Sequence, residues 1–488
     1  MTEFSGYFYK IITANYLSRS EAILRRLRAS SEPRRNLGME QQRDLDLVVW
    51  GATGFTGRLA TAYLAGASAQ FKSFTLDPHR SGTHNLRWAL AGRDLAKLTA
   101  LAREMNVPSS VELIVADASD GVAIEAFVRR TKVIVALAGP FVRYSDLVIG
   151  ACAAFGTHYV DITGEVGWVR AAMDRFGDRA RASGSCIVNF CGYDSIPSDL
   201  GTFVAVNALR RKLGYAGRGR EDGFAHPPAI RDVVAYQAIN GMGGFSGGSL
   251  ATGMSSHLVE LTKGVDPAHP FLLGGERAGG VRAEDEEPTS AAFSETVAAW
   301  TCPFGMERIN SRVVRRSAML LDYGAAFGYR EVALAPSEAH AAKAAKRHVS
   351  PIPPSKLKMM IKAGRLPKPG EGPSPSMRER CRFATLVVAR AESGETASVL
   401  VSGGEAGYEE TAKMACEAAL AMACFPEECP GVVVYGGGFL TPSAAIGEIL
   451  VARLRDAGIA FDIVDEPKRA LKAWRRSASA AGGPRSQL

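Results

Sequence analysis

From Asp44 to Trp50 the chain reads Asp-Leu-Asp-Leu-Val-Val-Trp, a short apolar run that feeds straight into glycines. The segment after them, Arg58 to Leu64, has helical composition. Further apolar, β-rich runs follow at Leu86–Ala91, Val111–Ala116, Val133–Ala138, Tyr159–Ile162 and Cys186–Phe190. Helix-like stretches separate them, around Asp94–Met105, Ala123–Arg130, Asp146–Phe155 and Trp168–Ala182. Continuous apolar strands alternating with helices predict an α/β architecture, a parallel sheet covered on both faces.

That regularity ends near Pro197. A Gly-rich stretch runs from Asn240 to Gly253, and a Pro-rich basic connector from Ser350 to Ser376. Beyond it, Arg382–Ala391 and Ser398–Ser402 read as paired strands, Glu409–Ala423 as a helix and Ser443–Ala457 as a last helix. At 488 residues the chain exceeds what one core supports. The expected division is a disordered basic extension over 1–42, a nucleotide-binding domain over 43–200, and an α+β substrate or dimerisation domain over 201–425. A helical region over 426–465 is expected to pack back on the first domain, followed by a basic flexible tail over 466–488. Ser73–Asn85 reads as a polar loop insertion.

The first strand delivers Gly51-Ala52-Thr53-Gly54-Phe55-Thr56-Gly57 to the start of a helix. Glycine is needed there because the turn demands positive φ, the backbone must approach a pyrophosphate, and the helix must pack tightly on the strand. The phosphates then meet unpaired N–H groups at a helix N-terminus, where the dipole favours negative charge. Strand, glycine turn and helix in this order predict a Rossmann-type doubly wound sheet with a second α+β domain. The spacing, G-x-x-G-x-x-G, is common in enzymes that use NADP. Strand two ends in Ala91-Gly92-Arg93; an acid there would bind a ribose 2′-hydroxyl, whereas Arg93 accommodates a 2′-phosphate. NADP is therefore the expected cofactor. Asp117, after strand three, is expected near the adenine, and Gly139-Pro140-Phe141, after strand four, beside the nicotinamide.

Hydrophobic residues at 47% and charged residues at 22% fit a folded enzyme. The net charge of +8 is a mild bias that favours anionic small molecules or lipid headgroups as readily as nucleic acid, and no nucleic-acid-binding module is recognisable. Eight scattered cysteines form no C-x-x-C pair, which argues against zinc and for reduced thiols in an intracellular compartment. No apolar run reaches 18 residues. Residues 1–42 carry seven cations, but Glu3, Glu21 and Glu32 speak against a mitochondrial presequence, and Met39 is an alternative start. The terminal Ser486-Gln487-Leu488 differs by one residue from a peroxisomal address, so a peroxisome-type organelle stands beside a cytoplasmic, lipid-droplet or membrane-associated location.

Jointly, Val48–Gly57, Ala91–Arg93, Val133–Phe141, His158–Glu165, Cys191–Gly201, Gly243–Ser249, Val313–Ser317, Tyr408–Met414 and Leu440–Gly447 resemble the saccharopine dehydrogenase-like oxidoreductases. That group includes the trans-acting enoyl reductases of lipid synthesis. The resemblance spans about residues 44 to 460 and implies NADP-type cofactor use and a link to lipid or glycolipid metabolism. One departure stands out: the family usually has Asp-Pro-Gly-Tyr where this chain reads Glu405-Ala406-Gly407-Tyr408.

Hydride transfer needs an apolar cleft and a nearby proton donor. Tyr144, close behind Gly139-Pro140, is the candidate donor; Asp161, Glu165, Tyr193, Asp194 and Asp199 also lie near strand ends. N-capping of the following helix is the expected role of Asp194 and Asp199, and Cys191 is expected to pack. Three functions compete: an NADP(H)-dependent reductase of a lipid or acyl intermediate, a saccharopine-type dehydrogenase, and a non-catalytic NADP-binding lipid-surface protein. For the last, Lys468–Arg476 with Trp474 would suit anionic headgroups. Expected partners are a small-molecule acyl substrate, no nucleic acid, peripheral membrane contact and a second copy in a homodimer.

Overall fold

The computed structural model describes residues 43–67, 86–215, 226–241, 244–255, 262, 264–276, 280–348, 353–368 and 370–480. The extension over 1–42, the insertion at Ser73–Asn85 and the terminal tripeptide lie outside the described residues.

The first sheet is built from β1 (Leu45–Trp50), β2 (Trp88–Gly92), β3 (Glu112–Val115), β4 (Thr131–Ala136), β5 (His158–Asp161) and β6 (Cys186–Val188). All six residues of β1 are buried, because alternate side chains face two different cores. Leu47 and Val49 pack with Ala60, Leu64, Ala418 and Met422 on one side. Val48 and Trp50 pack with Phe127, Val148 and Cys152 on the other. Every recorded pairing in this sheet is parallel, with β1 lying between β2 and β4. The strand order reverses at β1 and β4, so a crevice opens at their carboxyl ends.

The second sheet contains β7 (Ile230–Asn240), β8 (Ala292–Ser294), β9 (Ala299–Pro303), β10 (Gly328–Ala335), β11 (Arg382–Ala391) and β12 (Thr396–Gly403). It is mixed: β7 runs parallel to β10 and antiparallel to β11. Helix α1 (Ile196–Lys212) leaves the first sheet and lies on the second. Gly201 permits the approach, since an added Cβ would sit 2.9 Å from Val387 Cγ2.

The last third of the chain interleaves the two sheets. Helix α2 (Thr411–Cys424), assigned from sequence to the second domain, packs its Met414, Ala418 and Met422 into the first sheet's core. Strand β13 (Gly438–Leu440) then joins the first sheet beside β6, whereas β14 (Ala460–Ile463) joins the second beside β12. Residues 467–480, expected as flexible tail, form helix α3 (Pro467–Ala480). The reason is their helical periodicity: Leu471 and Trp474 fall on one face and pack against the second sheet with Tyr236, Leu386 and Leu400. Trp474 thus points inward, leaving Lys468, Arg469, Lys472 and Arg476 exposed. Among the described residues no helix is long and apolar enough to cross a membrane.

Candidate active site

The loop from Gly51 to Gly57 sits at the carboxyl end of β1, at the point of strand-order reversal. Gly51 has φ +82°, and an added Cβ would lie 2.8 Å from the backbone nitrogen of Ala138. At Gly57 a Cβ would meet the Gly51 carbonyl oxygen at 2.2 Å and the Ala52 carbonyl oxygen at 2.8 Å. The Gly54 N–H donates to the Gly51 carbonyl at 3.0 Å, closing the turn. Helix α4 (Phe55–Ala67) begins there, so the N–H groups of its first turn have no intrahelical acceptor and face the crevice end of the sheet. Such a turn is shaped for a pyrophosphate.

Arg93 follows β2 directly and is exposed. Asp94, next in sequence, is occupied: its side chain accepts from the Lys97 N–H at 3.1 Å and caps the next helix. Asp117 turns onto Ser119, accepting from its N–H at 2.9 Å and its hydroxyl at 2.6 Å. Those bonds, with a smaller contribution from Arg93, hold its carboxyl below the usual range. Arg93 is thus near enough to Asp117 to act on its carboxyl electrostatically.

On the opposite side the Gly139–Pro140 bond is cis. The turn after it is held from below by Glu165, whose carboxylate oxygens accept from the Phe141 and Val142 N–H groups at 2.8 and 3.0 Å. Burial pushes this carboxyl's pKa up, against those two bonds. Tyr144 ends the same helical turn with its ring exposed, and its carbonyl accepts from Trp50 Nε1 at 2.9 Å.

The second sheet's loops close over the phosphate turn. Phe55 meets Tyr408 edge to face at 5.0 Å between centroids, and the Arg378 guanidinium lies 5.7 Å from the Phe55 ring. Tyr408 in turn accepts from the Ser246 N–H. Glu405 accepts from the N–H groups of Gly407, Tyr408 and Glu409 at 2.8–3.0 Å. Its side chain thereby caps the segment that leads into α2. The glycine cluster before it becomes helix α5 (Gly247–Ser255), which carries Thr252 to Gly139.

The remaining acids sort by their partners. Asp161 accepts from Tyr159, Asn189, Thr163 and Phe190, tying β5 to β6, and burial raises its pKa to about 7. Asp199 does not cap α1. It lies in the first turn, accepting from Ser317 and from the Ser443 N–H at 2.9 Å, so it joins three helical segments. Asp194 precedes the N-cap residue Ser195 rather than occupying it. Its carboxylate points to Gly164, and burial pushes its pKa up to about 6. Cys191 is buried, which holds its thiol protonated. The partnering of Glu165 with the turn after Pro140 was not legible from sequence, because 23 and 24 residues separate it from Val142 and Phe141.

The residues from 47 to 188 match the family model of the saccharopine dehydrogenase NADP binding domain. A putative trans-acting enoyl reductase of Mycobacterium tuberculosis is 31% identical over 448 residues, covering 86% of this chain and 97% of that protein. The chain belongs to this family. A trans-acting enoyl reductase of Mycobacterium ulcerans is likewise 31% identical over 449 residues, with the same shares covered. The apo saccharopine dehydrogenase (L-Glu forming) of Saccharomyces cerevisiae is 12% identical, covers 86% of this chain and 99% of its own, and has a TM-score of 0.48. The protein is an NADP-dependent oxidoreductase, and the turn that a Cβ at Gly51 or Gly57 would fill has the form a pyrophosphate needs.

Proposed function

We propose that this chain reduces the carbon–carbon double bond of an enoyl intermediate, most naturally a lipid acyl group, with NADPH. The observation that carries the reading is the phosphate turn with Arg93 at its rim, in a chain related over almost its whole length to trans-acting enoyl reductases. NADPH, when bound, would supply the hydride. The protein's part is to bind and orient. Gly51, Ala52, Thr53, Gly54, Phe55, Thr56 and Gly57 hold the pyrophosphate, Gly92 and Arg93 with Asp117 hold the adenosine end, and Gly139-Pro140 flanks the nicotinamide. Tyr144, on the turn after Pro140, donates the proton that the reduced carbon chain needs.

A saccharopine-type activity would need cations to clamp a dicarboxylate. The buried arginines of helix α6 (Glu307–Leu320) are committed elsewhere: Arg312 donates to the Ala268 carbonyl at 2.6 Å, and Arg315 to the Pro270 carbonyl at 3.0 Å. The exposed cations of α3 support contact with an anionic lipid surface, and the same reading places the protein at a membrane or lipid droplet. Consumption of NADPH with a panel of enoyl thioesters tests the proposal. Saturated thioester as product supports it; oxidation of saccharopine with no action on any thioester refutes it.

A further inference from the structure

The phosphate turn belongs to the first sheet, yet its one large side chain is held by chain that leads into the second. The Arg58 N–H makes the first helical bond of α4, to the Gly54 carbonyl at 2.9 Å. The N–H groups of Phe55, Thr56 and Gly57 thus stand ahead of the helix's own ladder. Phe55 therefore carries both a donor of that turn and a bulky ring. The ring is half-buried and lies on Gly372, where an added Cβ would fall 2.5–2.6 Å from three of its carbons. Only a residue without a side chain lets the ring rest there. Tyr408 meets the ring edge to face, and the Arg378 guanidinium lies within cation–π reach of it. The segment that carries Gly372 is itself pinned. The Glu371 carbonyl accepts from the Gly247 N–H at 3.0 Å. Arg378, nearly buried, donates to the Pro373 carbonyl at 2.6 Å and to Glu409 at 2.8 Å.

We infer that Gly372, Arg378 and Tyr408 form a seat for the Phe55 ring, and that this seat aims the N–H groups that receive the cofactor's pyrophosphate. The three are positioning residues: they act through Phe55 and need no contact with the cofactor. The physical reason is the stiffness of the side chain. A ring displaced from its seat must leave its staggered torsion or drag the backbone of residue 55 with it. An N–H bond weakens steeply once its angle to the acceptor is lost. The pyrophosphate is common to NADPH and NADH, so the seat governs affinity for both alike, whereas Arg93 answers only the 2′-phosphate. The inference rests on the reading of Gly51–Gly57 as the phosphate turn.

Fluorescence titration of NADPH and NADH on the full chain tests it without any substrate. Gly372 holds no positive φ, and the atoms in the way of a new methyl are the tip of the Phe55 side chain. Gly372→Ala is therefore expected to fold, with a cofactor-free melting temperature near that of the wild type, and to push the ring aside. The Kd should rise for both cofactors by the same factor, about tenfold, the worth of one charge-assisted bond. In a Phe55→Leu background, where the ring is gone, Gly372→Ala should add less than about twofold, because the two changes act on one contact. Arg378→Met keeps Gly372 but removes the cation beside the ring and its hold on Pro373; it should raise both Kd values in the same ratio, and it carries the test if Gly372→Ala fails to fold. Wild-type affinity in both Gly372→Ala and Arg378→Met overturns the seat. So does a loss confined to NADPH, or an undiminished effect of Gly372→Ala in the Phe55→Leu background. Gly57→Ala separates the two readings: if it weakens NADPH while the seat variants do not, only the seat fails. If Gly57→Ala also binds like the wild type, the phosphate-turn reading fails and the seat with it.

Discussion

Gly57→Ala is the sharpest perturbation of the phosphate turn. The new methyl would be placed 2.2 Å from the Gly51 carbonyl oxygen and 2.8 Å from that of Ala52. An ordinary carbon–oxygen contact is about 3.3 Å, so the turn must open by roughly 1 Å. Both obstructing atoms are backbone, and neither can rotate away. Overpacking of this kind costs about 1–3 kcal/mol. It also moves the N–H groups that hold the pyrophosphate, whose charge-assisted bonds are worth about 1.5–3 kcal/mol each. Losing one such bond raises the Kd for NADPH about tenfold or more. The same helix supplies a control: at Gly66 an added Cβ meets nothing within 4 Å, so Gly66→Ala is expected to bind NADPH like the wild type and to change stability by less than about 1 kcal/mol. Titration of NADPH fluorescence on the three proteins reads the difference. If Gly57→Ala and Gly66→Ala bind equally well, the turn is not the phosphate cradle.

Arg93→Asp should weaken NADPH at least tenfold while leaving NADH within a few fold, because only the 2′-phosphate loses a charge-assisted bond; parallel fluorescence titrations with both cofactors check it. Burial raises the Glu331 carboxyl from its ordinary range to about 7, although Ser198 Oγ donates to it at 2.8 Å and Gln237 also donates. A raised folded-state pKa means that its stabilising contribution is complete below its unfolded pKa near 4.5 and is lost as pH rises through 7. Glu331→Gln should therefore gain stability over the wild type at pH 8, by at most about 3 kcal/mol, and show little gain at pH 5; urea unfolding at both values decides, and an equal effect at both contradicts it. Arg453 and Glu417 form a nearly buried ion pair at 2.7 Å that joins α2 to the helix Glu448–Asp456, with Tyr63 donating to the same carboxylate at 2.5 Å. Arg453→Met should cost about 3–5 kcal/mol by leaving that carboxylate unpaired, whereas replacing Arg453 and Glu417 together by apolar residues should recover most of it; thermal unfolding measures both.

The first sheet was legible because its strands are buried on two faces and read as continuous apolar runs, each followed by a helix. Val48 and Val49 face different cores, and that pattern needs no long-range information. The glycine turn was legible for a related reason: its glycines answer local backbone demands. The second sheet was less so. Helix α2 looks like any Ala- and Met-rich helix, and nothing local shows that Met414 and Met422 belong to the first core. The buried face of helix α3 was hard to read because five cations lie among the positions it packs with, Ala470, Leu471, Trp474 and Ala478. Asp199 was misread as a cap because its true partners, Ser317 and Ser443, lie more than 100 residues away. Glu165 was visible as an acid near a strand end, but its bonds to Phe141 and Val142 depend on how β5 and the Pro140 turn converge.

The central claim is that this fold applies NADPH to an enoyl group. The most direct test is to incubate the purified protein with an enoyl thioester and NADPH deuterated at the nicotinamide C4 on either face, then weigh the product. The account predicts a saturated thioester carrying one deuterium from one face only, with NADH far less effective. Unreacted thioester across chain lengths, from protein that binds NADPH, would contradict it.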